Sequence, residues 1–124
     1  MDPEWNDSQP IYRQIHDRVV AMILDGLLAE GDPLPSVRNV ATDSRVNPLT
    51  VLKAYQQIEG EGLVEKRRGL GMFVNAGARD LLLRAERQRF LSDRWPAVAA
   101  TIRRLGLTED ELAAAGRAPT RKED

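Results

Sequence analysis

The fold is decided by residues 34–74, which run LPSVRNVATDSRVNPLTVLKAYQQIEGEGLVEKRRGLGMFV. Ser36 is a favourable N-cap for a first short helix. After a turn at residues 44–46, Asn47-Pro48 begins a second helix, because asparagine caps helices and proline suits the first helical turn. Two short runs with strand character then flank Arg68-Gly69. This order predicts two helices joined by a tight turn and followed by a β-hairpin.

The second helix has a stripe for burial and an outer face that carries more information. The stripe is formed by apolar residues at i, i+3, i+4 and i+7, which are Val51, Ala54, Tyr55 and Ile58. Leu49 and Leu52 are left outside, where leucine is useful against an apolar surface such as a thymine methyl group. Asn47, Thr50 and Lys53 can hydrogen-bond to base edges or phosphates. The outer face therefore indicates a helix that enters a DNA groove.

Further candidate DNA contacts lie at the start of the first helix and at the hairpin tip. Ser36 and Arg38 stand at the helix end, where a side chain can reach a phosphate or a base edge. Residues 63–67 and 72–74 are expected to form the strands. Arg67 and Arg68 at the tip suit phosphate or minor-groove contact, and Gly69 permits a close approach to another backbone.

Three motifs follow one another here: LPSVR at residues 34–38, AYQQIEGEGL at 54–63 and RRGLGMFV at 67–74. Together they resemble the N-terminal winged helix-turn-helix of the GntR family of bacterial transcription regulators, and the resemblance covers residues 9–74. Asn47-Pro48 and the short C-terminal region resemble the YtrA-type subfamily. The resemblance implies DNA contacts at Arg38, Asn47, Leu49, Thr50, Arg68 and Gly69. Pro48 and Leu52 replace base-reading arginines of many other relatives, so no operator sequence is implied.

The N-terminal region is predicted to add one helix to this module. Ser8 is a plausible cap for a helix that runs to about residue 25 and ends at Gly26. Trp5 is expected to pack back on the domain or on a dimer partner. His16 lies off the apolar stripe and is interpreted as a solvated surface histidine, since no second histidine or cysteine exists to complete a metal site.

The C-terminal region is predicted to be helical. Its first helix can be interpreted as a solvated helix that covers the winged domain or as a dimer helix, and we favour the dimer because the helix has little apolar surface of its own and because the resemblance implies dimerisation through this region. A helical run begins at Arg79, Ser92-Asp93 are expected to cap a new helix before Pro96, and Gly106 is expected to close it. Thr108 and Glu111 fit a capping box for a last helix that ends near residue 116. The candidate dimer residues are apolar and recur at helical spacing: Leu82, Phe90, Trp95, Val98, Ala99, Ile102 and Leu105.

The predicted fold is thus mainly α with a small β-hairpin. A winged helix-turn-helix domain at residues 8–75 precedes a short helical dimerisation region at 76–116 and a disordered charged tail at 117–124. The chain of 124 residues has no cysteine, which fits a reducing cytoplasm and excludes thiolate metal sites. No apolar run is long enough to span a membrane. Residues 1–75 carry 8 basic and 11 acidic side chains, so any DNA footprint must be local.

These patterns predict a sequence-specific DNA-binding protein, and with the resemblance they imply a transcription regulator, in particular a repressor, that binds an inverted-repeat operator as a homodimer. No nucleophile with a base, metal cluster or phosphate-cradling loop is present, which argues against an enzyme, and no cofactor is expected. A small-molecule effector of unknown identity is a further expectation. The alternative is a winged helix that binds only proteins, which exposed Leu49 and Leu52 would suit; Arg38, Lys53 and Arg68 favour DNA.

Overall fold

The computed structural model of the protein describes residues 5–117, which divide into two compact units at Ala85–Glu86. The first unit contains α1 (Ile11–Leu24), α2 (Val37–Ser44), α3 (Pro48–Gly60), β1 (Val64–Arg67) and β2 (Gly71–Val74). Helix α4 (Ala78–Arg89) runs across the division. The second unit continues with a π-helical turn (Phe90–Arg94), α5 (Trp95–Leu105) and α6 (Glu109–Gly116). This is the mainly helical fold with a small hairpin that the sequence predicts.

The core of the first unit lies between α1 and α3 and extends under the hairpin. Both helices bury apolar stripes at helical spacing, and α4 adds two residues to the same cluster. The core members are Ile15, Val19, Ile23, Leu28, Leu34, Val40, Ala41, Val51, Ala54, Tyr55, Ile58, Leu63, Val64, Val74, Ala78 and Leu82. Each large apolar side chain buried in this way contributes roughly 1.5–3 kcal/mol relative to exposure. The core therefore holds α3, whose outer face is left free, against α1.

The ends of α2 and α3 are fixed by local hydrogen bonds that the sequence predicts. Ser36 Oγ accepts a bond from the N–H of Asn39 at 3.0 Å, and Asn47 Oδ1 accepts one from the N–H of Leu49 at 2.8 Å. Between the helices, Arg45 takes the left-handed conformation, with φ 57° and ψ 48°. A single residue in this conformation turns the chain sharply enough for Asn47, two residues later, to cap α3.

Helix α1 does not begin as the sequence suggests. It starts at Ile11 after Pro10, without a side-chain cap, and the hydroxyl of Ser8 bonds to the side chain of Asn6 instead. The prediction of Ser8 as the cap is therefore wrong. Trp5 does pack back on the domain, against the core cluster, with the guanidinium of Arg18 4.2 Å from its ring centroid.

The hairpin is antiparallel, with Val64 opposite Val74 and Arg67 opposite Gly71. Its loop of residues 68–70 is closed by a bond from the N–H of Leu70 to the carbonyl of Arg67 at 2.8 Å. The segment before α2 lies along β2, and the N–H of Leu34 donates to the carbonyl of Met72 at 2.8 Å. The stem of the hairpin is thus tied to the entry of the helix-turn-helix, and only its tip projects.

No capped helix start is present at Ser92-Asp93, so that prediction is wrong. Those two residues lie inside the π-helical turn, where the N–H of Trp95 bonds to the carbonyl of Phe90, five residues earlier. Proline lacks an N–H and its ring clashes with the carbonyl four residues earlier in a regular α-helix. The wider turn accommodates Pro96 without ending the helix. Downstream, the left-handed Gly106 closes α5, and Thr108 with Glu111 forms the predicted capping box.

The second unit has helices but no core of its own. None of the described residues 86–117 is buried. Large apolar side chains stand exposed along it: Phe90, Leu91, Trp95, Val98, Leu105, Leu107 and Leu112. Residues 118–124, most of the predicted tail, lie outside the described residues. In residues 5–117 no helix has the length and apolar character that crossing a bilayer requires.

Candidate nucleic-acid interface

The N-terminal half of α3 presents the side chains that the sequence singled out. Leu49 is 70% exposed, Asn47 and Lys53 are exposed, and Thr50 is half-buried. Leu52, expected outside, is also half-buried. The capping bond uses only the side-chain carbonyl of Asn47, so its amide N–H groups can donate to a base or a phosphate. An apolar tip between polar donors is the surface that a base edge with a methyl group would match.

The first turn of α2 offers a hydroxyl and a guanidinium. Ser36 Oγ accepts the capping bond, and its own O–H remains a donor. Arg38 is exposed, and within residues 5–117 its guanidinium has no salt bridge. Both groups are placed where the first helix of a helix-turn-helix meets the phosphate backbone.

Tyr55 fixes the two helices against each other. Its hydroxyl donates to the carbonyl of Pro35 at 2.7 Å, which joins the middle of α3 to the entry of α2. The side chain is almost completely buried, and this burial raises the pKa of Tyr55 to about 12. A neutral, hydrogen-bonded tyrosine at this point sets the distance between Arg38 on one helix and Thr50 on the other.

Lys53 has an aromatic partner that the sequence did not reveal. Its Nζ lies 4.0 Å from the ring centroid of Tyr12 on α1. A cation over an aromatic face gains stabilisation and keeps its N–H donors, so Tyr12 can hold Lys53 ready for a phosphate. Because the two residues are far apart in the chain, no local pattern could have indicated this pair.

His16 is buried, which makes its interpretation as a solvated surface histidine wrong. Only 8% of the residue is exposed. Its Nε2 lies 2.7 Å from Glu61 Oε1, and its Nδ1 lies 2.8 Å from Asp17 Oδ1. Glu61 is the residue that ends α3, so this contact ties α1 to that end. The buried face of α1 includes Gln14 and His16 beside the apolar residues Ile15, Val19 and Ile23, so it is wider than an apolar pattern indicates.

The two arginines of the hairpin have different surroundings. Arg67 Nε lies 3.0 Å from Glu65 Oε2, and the guanidinium stacks 4.3 Å from the ring centroid of Phe73. Arg68 is exposed and has no salt bridge in the part of the chain that the structure describes. Gly69, with φ 76°, forms the tip beside it. Arg67 thus stiffens the stem, and Arg68 is the cation that projects at the tip.

The predicted dimer residues do not all share one surface. Leu82 is 7% exposed and belongs to the core of the first unit. Phe90, Trp95 and Val98 are exposed in the second unit, where the Phe90 and Trp95 ring centroids are 6.4 Å apart. Ala99 and Ile102 are half-buried and Leu105 is exposed. Among residues 5–117 no group of histidine, cysteine, aspartate or glutamate could hold a metal ion.

A tight two-helix turn, a second helix with a free polar and apolar end, and a glycine-tipped hairpin define a winged helix-turn-helix DNA-binding protein. A family model described as bacterial regulatory proteins, gntR family, matches residues 11–74. The chain belongs to the GntR family, as a regulator of the YtrA type. Proteins of this family regulate transcription through DNA, so the chain is a DNA-binding transcription regulator and not an enzyme.

Individual relatives agree with this assignment. The chain is 36% identical over 118 residues to an uncharacterized HTH-type transcriptional regulator, YhcF of Bacillus subtilis, covering 90% of this chain and 91% of that protein. It is 42% identical over 83 residues to the HTH-type transcriptional repressor YtrA of the same species, covering 67% of this chain and 62% of the repressor. A solved GntR family transcriptional regulator from Listeria monocytogenes superposes with a TM-score of 0.71 at 27% identity, covering 91% and 97% of the two chains.

Proposed function

We propose that the chain is a repressor that binds an inverted-repeat operator as a two-fold homodimer. The observation that carries this proposal is the second unit, in which none of the described residues is buried although α5 has an apolar stripe. Helices of this length are not stable in water on their own, and they need an apolar face to pack against. A second copy of the same surface would supply that face.

The dimer surface that we propose consists of the exposed and half-buried apolar residues of the second unit: Phe90, Trp95, Val98, Ala99, Ile102 and Leu105. Leu82 is left out because it already packs in the core of the first unit. Closed two-fold symmetry is the commonest arrangement of identical chains, and an operator read by such a dimer shares the symmetry.

Dimerisation also compensates for the weak DNA binding of a single winged helix-turn-helix, which is called the head below. One recognition helix makes few base contacts, and residues 1–75 carry more acidic than basic side chains. In a dimer the second head binds at an effective concentration that can reach the millimolar range, and the gain can be about a hundredfold or more. Two weak heads can then discriminate an operator from bulk DNA.

Each head would divide its contacts between two grooves. Asn47, Leu49 and Thr50 on α3 are assigned to the major groove, with Ser36 and Arg38 beside them and Lys53 on a phosphate. Arg68 and Gly69 at the hairpin tip are assigned to the flanking backbone. Arg67, also predicted as a contact, is given a supporting role because its guanidinium is held by Glu65 and Phe73.

The repressor assignment is supported by the similarity to YtrA of Bacillus subtilis, which is named a transcriptional repressor. A site on chromosomal DNA places the protein in the cytoplasm. The small-molecule effector stays a prediction. The alternative function, binding to proteins only, is supported by the exposed Leu49. Arg38 and Arg68 are exposed cations without a salt bridge, and they favour a polyanion over an apolar partner.

The direct test is selection of bound duplexes from a random library with the full chain. The expected result is an enriched sequence with two inverted half-sites at a fixed spacing, together with a dimer in light scattering. Enrichment of a single half-site by a monomer would refute the dimer and leave DNA reading intact. Absence of any enriched sequence would favour the protein-binding alternative.

A further inference from the structure

Arg45 occupies a backbone position that suits glycine. Within residues 5–117 it is the only non-glycine residue with a positive φ, at 57°. The other left-handed positions all carry glycine, namely Gly26, Gly31, Gly62, Gly69, Gly71, Gly77 and Gly106. A side chain at such a position crowds the following carbonyl, and arginine has no short polar group to offset this locally. The fold therefore gives up stability to keep an arginine at residue 45.

The turn itself needs only the backbone of this residue. The N–H of Arg45 bonds to the carbonyl of Ala41, and the N–H of Val46 bonds to the same carbonyl at 3.0 Å. Glycine would make the same bond and adopt the same angles without strain. Nothing in the geometry of the turn accounts for a long cationic side chain.

The side chain of Arg45 also makes no polar contact with the rest of the first unit. It is exposed, and in the described part of the chain its guanidinium has neither a salt bridge nor a hydrogen bond. Asp43, two residues earlier, does not pair with it. A strained, exposed residue whose side chain has no polar partner in the fold is more simply explained by a ligand than by packing.

The position of Arg45 indicates which ligand this is. Arg45 lies two residues before Asn47, the N-cap of α3, and so next to the N-terminal end of the helix that carries Leu49 and Thr50. A recognition helix enters the major groove by its N-terminal residues, with a phosphate backbone on either side. The guanidinium sits on a flexible stem, and it suits a phosphate because its N–H donors form a fork.

We propose that Arg45 is a DNA phosphate contact, held at the turn of the helix-turn-helix at a cost in stability. The inference rests on the DNA-binding function and adds a residue that neither the helix pattern nor the wing motif indicates. A phosphate contact carries no sequence information, so Arg45 would raise affinity for operator and non-operator DNA alike.

The test replaces Arg45 by glycine and measures thermal unfolding and DNA binding on the same protein. For Arg45→Gly we expect the Tm to rise by a few degrees as strain is relieved. Affinity should fall about fivefold per head at about 0.15 M salt, the factor given by one released counterion at a slope of 0.9 relative to 1 M. The loss should be equal for the selected operator and for a mixed-sequence duplex, and the salt slope should become shallower by about one unit per head.

Two further variants separate charge from strain. Arg45→Lys keeps the charge and the strained backbone, so it should retain most of the binding and gain no Tm. Arg84→Gln removes a positive charge from an exposed site on α4, outside the helix-turn-helix and the hairpin, and should leave the salt slope unchanged. Arg45→Gly with wild-type affinity and slope would overturn the proposal, as would a lower Tm or a loss confined to the operator. Wild-type protein that binds no duplex at all would instead refute the DNA-binding function.

Discussion

Single residues in this head differ by whether their charged groups are already engaged within the chain. Arg38 and Arg68 are exposed and have no salt bridge in residues 5–117, whereas Arg67 is paired with Glu65 and stacked on Phe73. Lys53 stacks on Tyr12. The guanidinium of Arg67 is held by both a carboxylate and a ring, so it is better placed to support the hairpin than to contact a phosphate, whereas Lys53 on its ring keeps all its N–H donors.

Arg38→Ala should weaken operator binding by roughly 1–3 kcal/mol if the guanidinium contacts a base edge. Thermal unfolding should hardly change, because the side chain is exposed and makes no salt bridge. Fluorescence anisotropy with the selected operator measures the loss, and Thr42→Ala, at an exposed position on the same helix, is the matched control. Undiminished binding by Arg38→Ala at moderate salt would remove Arg38 from the interface.

Tyr55 should make the head sensitive to alkali. The pKa of Tyr55 is raised from 10.0 to about 12 by burial, so the folded state holds the phenol proton more tightly than the unfolded chain. The free energy of unfolding is unaffected by this group below about pH 10 and falls by about 2–3 kcal/mol as the pH rises to about 12. Tyr55→Phe should lack this fall and cost about 1 kcal/mol at neutral pH for the lost bond to Pro35.

Urea unfolding at a series of pH values tests the Tyr55 prediction through the difference between wild type and Tyr55→Phe. Other groups titrate in both proteins and cancel in that difference. Parallel curves from neutral pH to the alkaline end would show that burial of Tyr55 does not oppose its ionisation.

Helices, strands and their ends were predictable where the signal is local. Ser36, Asn47, Gly106 and Thr108 act on backbone groups within a few residues, so the sequence placed the ends of α2, α3 and α5 and the start of α6. The wrong predictions involve either contacts between distant parts of the chain or two local signals that favour different structures. The contact of His16 with Glu61 joins distant parts of the chain. Ser92 and Asp93 are favourable capping residues, but no helix starts there, because a π-helical turn accommodates Pro96 and the helix continues.

The hairpin gives a prediction that separates its two arginines. Arg68→Ala should weaken operator and mixed-sequence duplexes to similar degrees and flatten the salt slope by about one unit per head, since one phosphate contact is lost. Arg67→Ala should instead lower the Tm by a few degrees through loss of the Phe73 stack. Binding across a salt series and thermal scans of both variants test this. A loss with Arg68→Ala that is confined to the operator would show that the tip reads bases.

At the scale of the whole molecule, the two units differ in how much apolar surface they bury. The first has a core of its own, which includes Ala78 and Leu82, and the second has exposed apolar side chains and no buried residue among 86–117. The sequence indicated the apolar stripe of α5 and led us to divide the two regions between residues 75 and 76. The first residues of α4 pack with the head instead. No local pattern indicates this, because their packing partners lie far away in the chain.

A chain shortened to residues 1–85 should therefore stay folded, become monomeric and lose about a hundredfold or more in operator affinity. Within the full chain, Val98→Asp on the apolar stripe should have the same effect, whereas Thr101→Asp at an exposed position of α5 should not. Light scattering and operator titration measure both properties. A monomeric Val98→Asp protein with full-strength operator binding would show that two joined heads are not required.

The positions of Trp5 and Trp95 have an optical consequence. The chain has two tryptophans, one beneath the guanidinium of Arg18 in the first unit and one exposed beside Phe90 in the second. Their emission therefore reports on different halves of the protein. In a Trp5→Phe variant the remaining indole would be a built-in probe of self-association: its spectrum would shift to shorter wavelength on concentration and become harder to quench with iodide, with no dye attached.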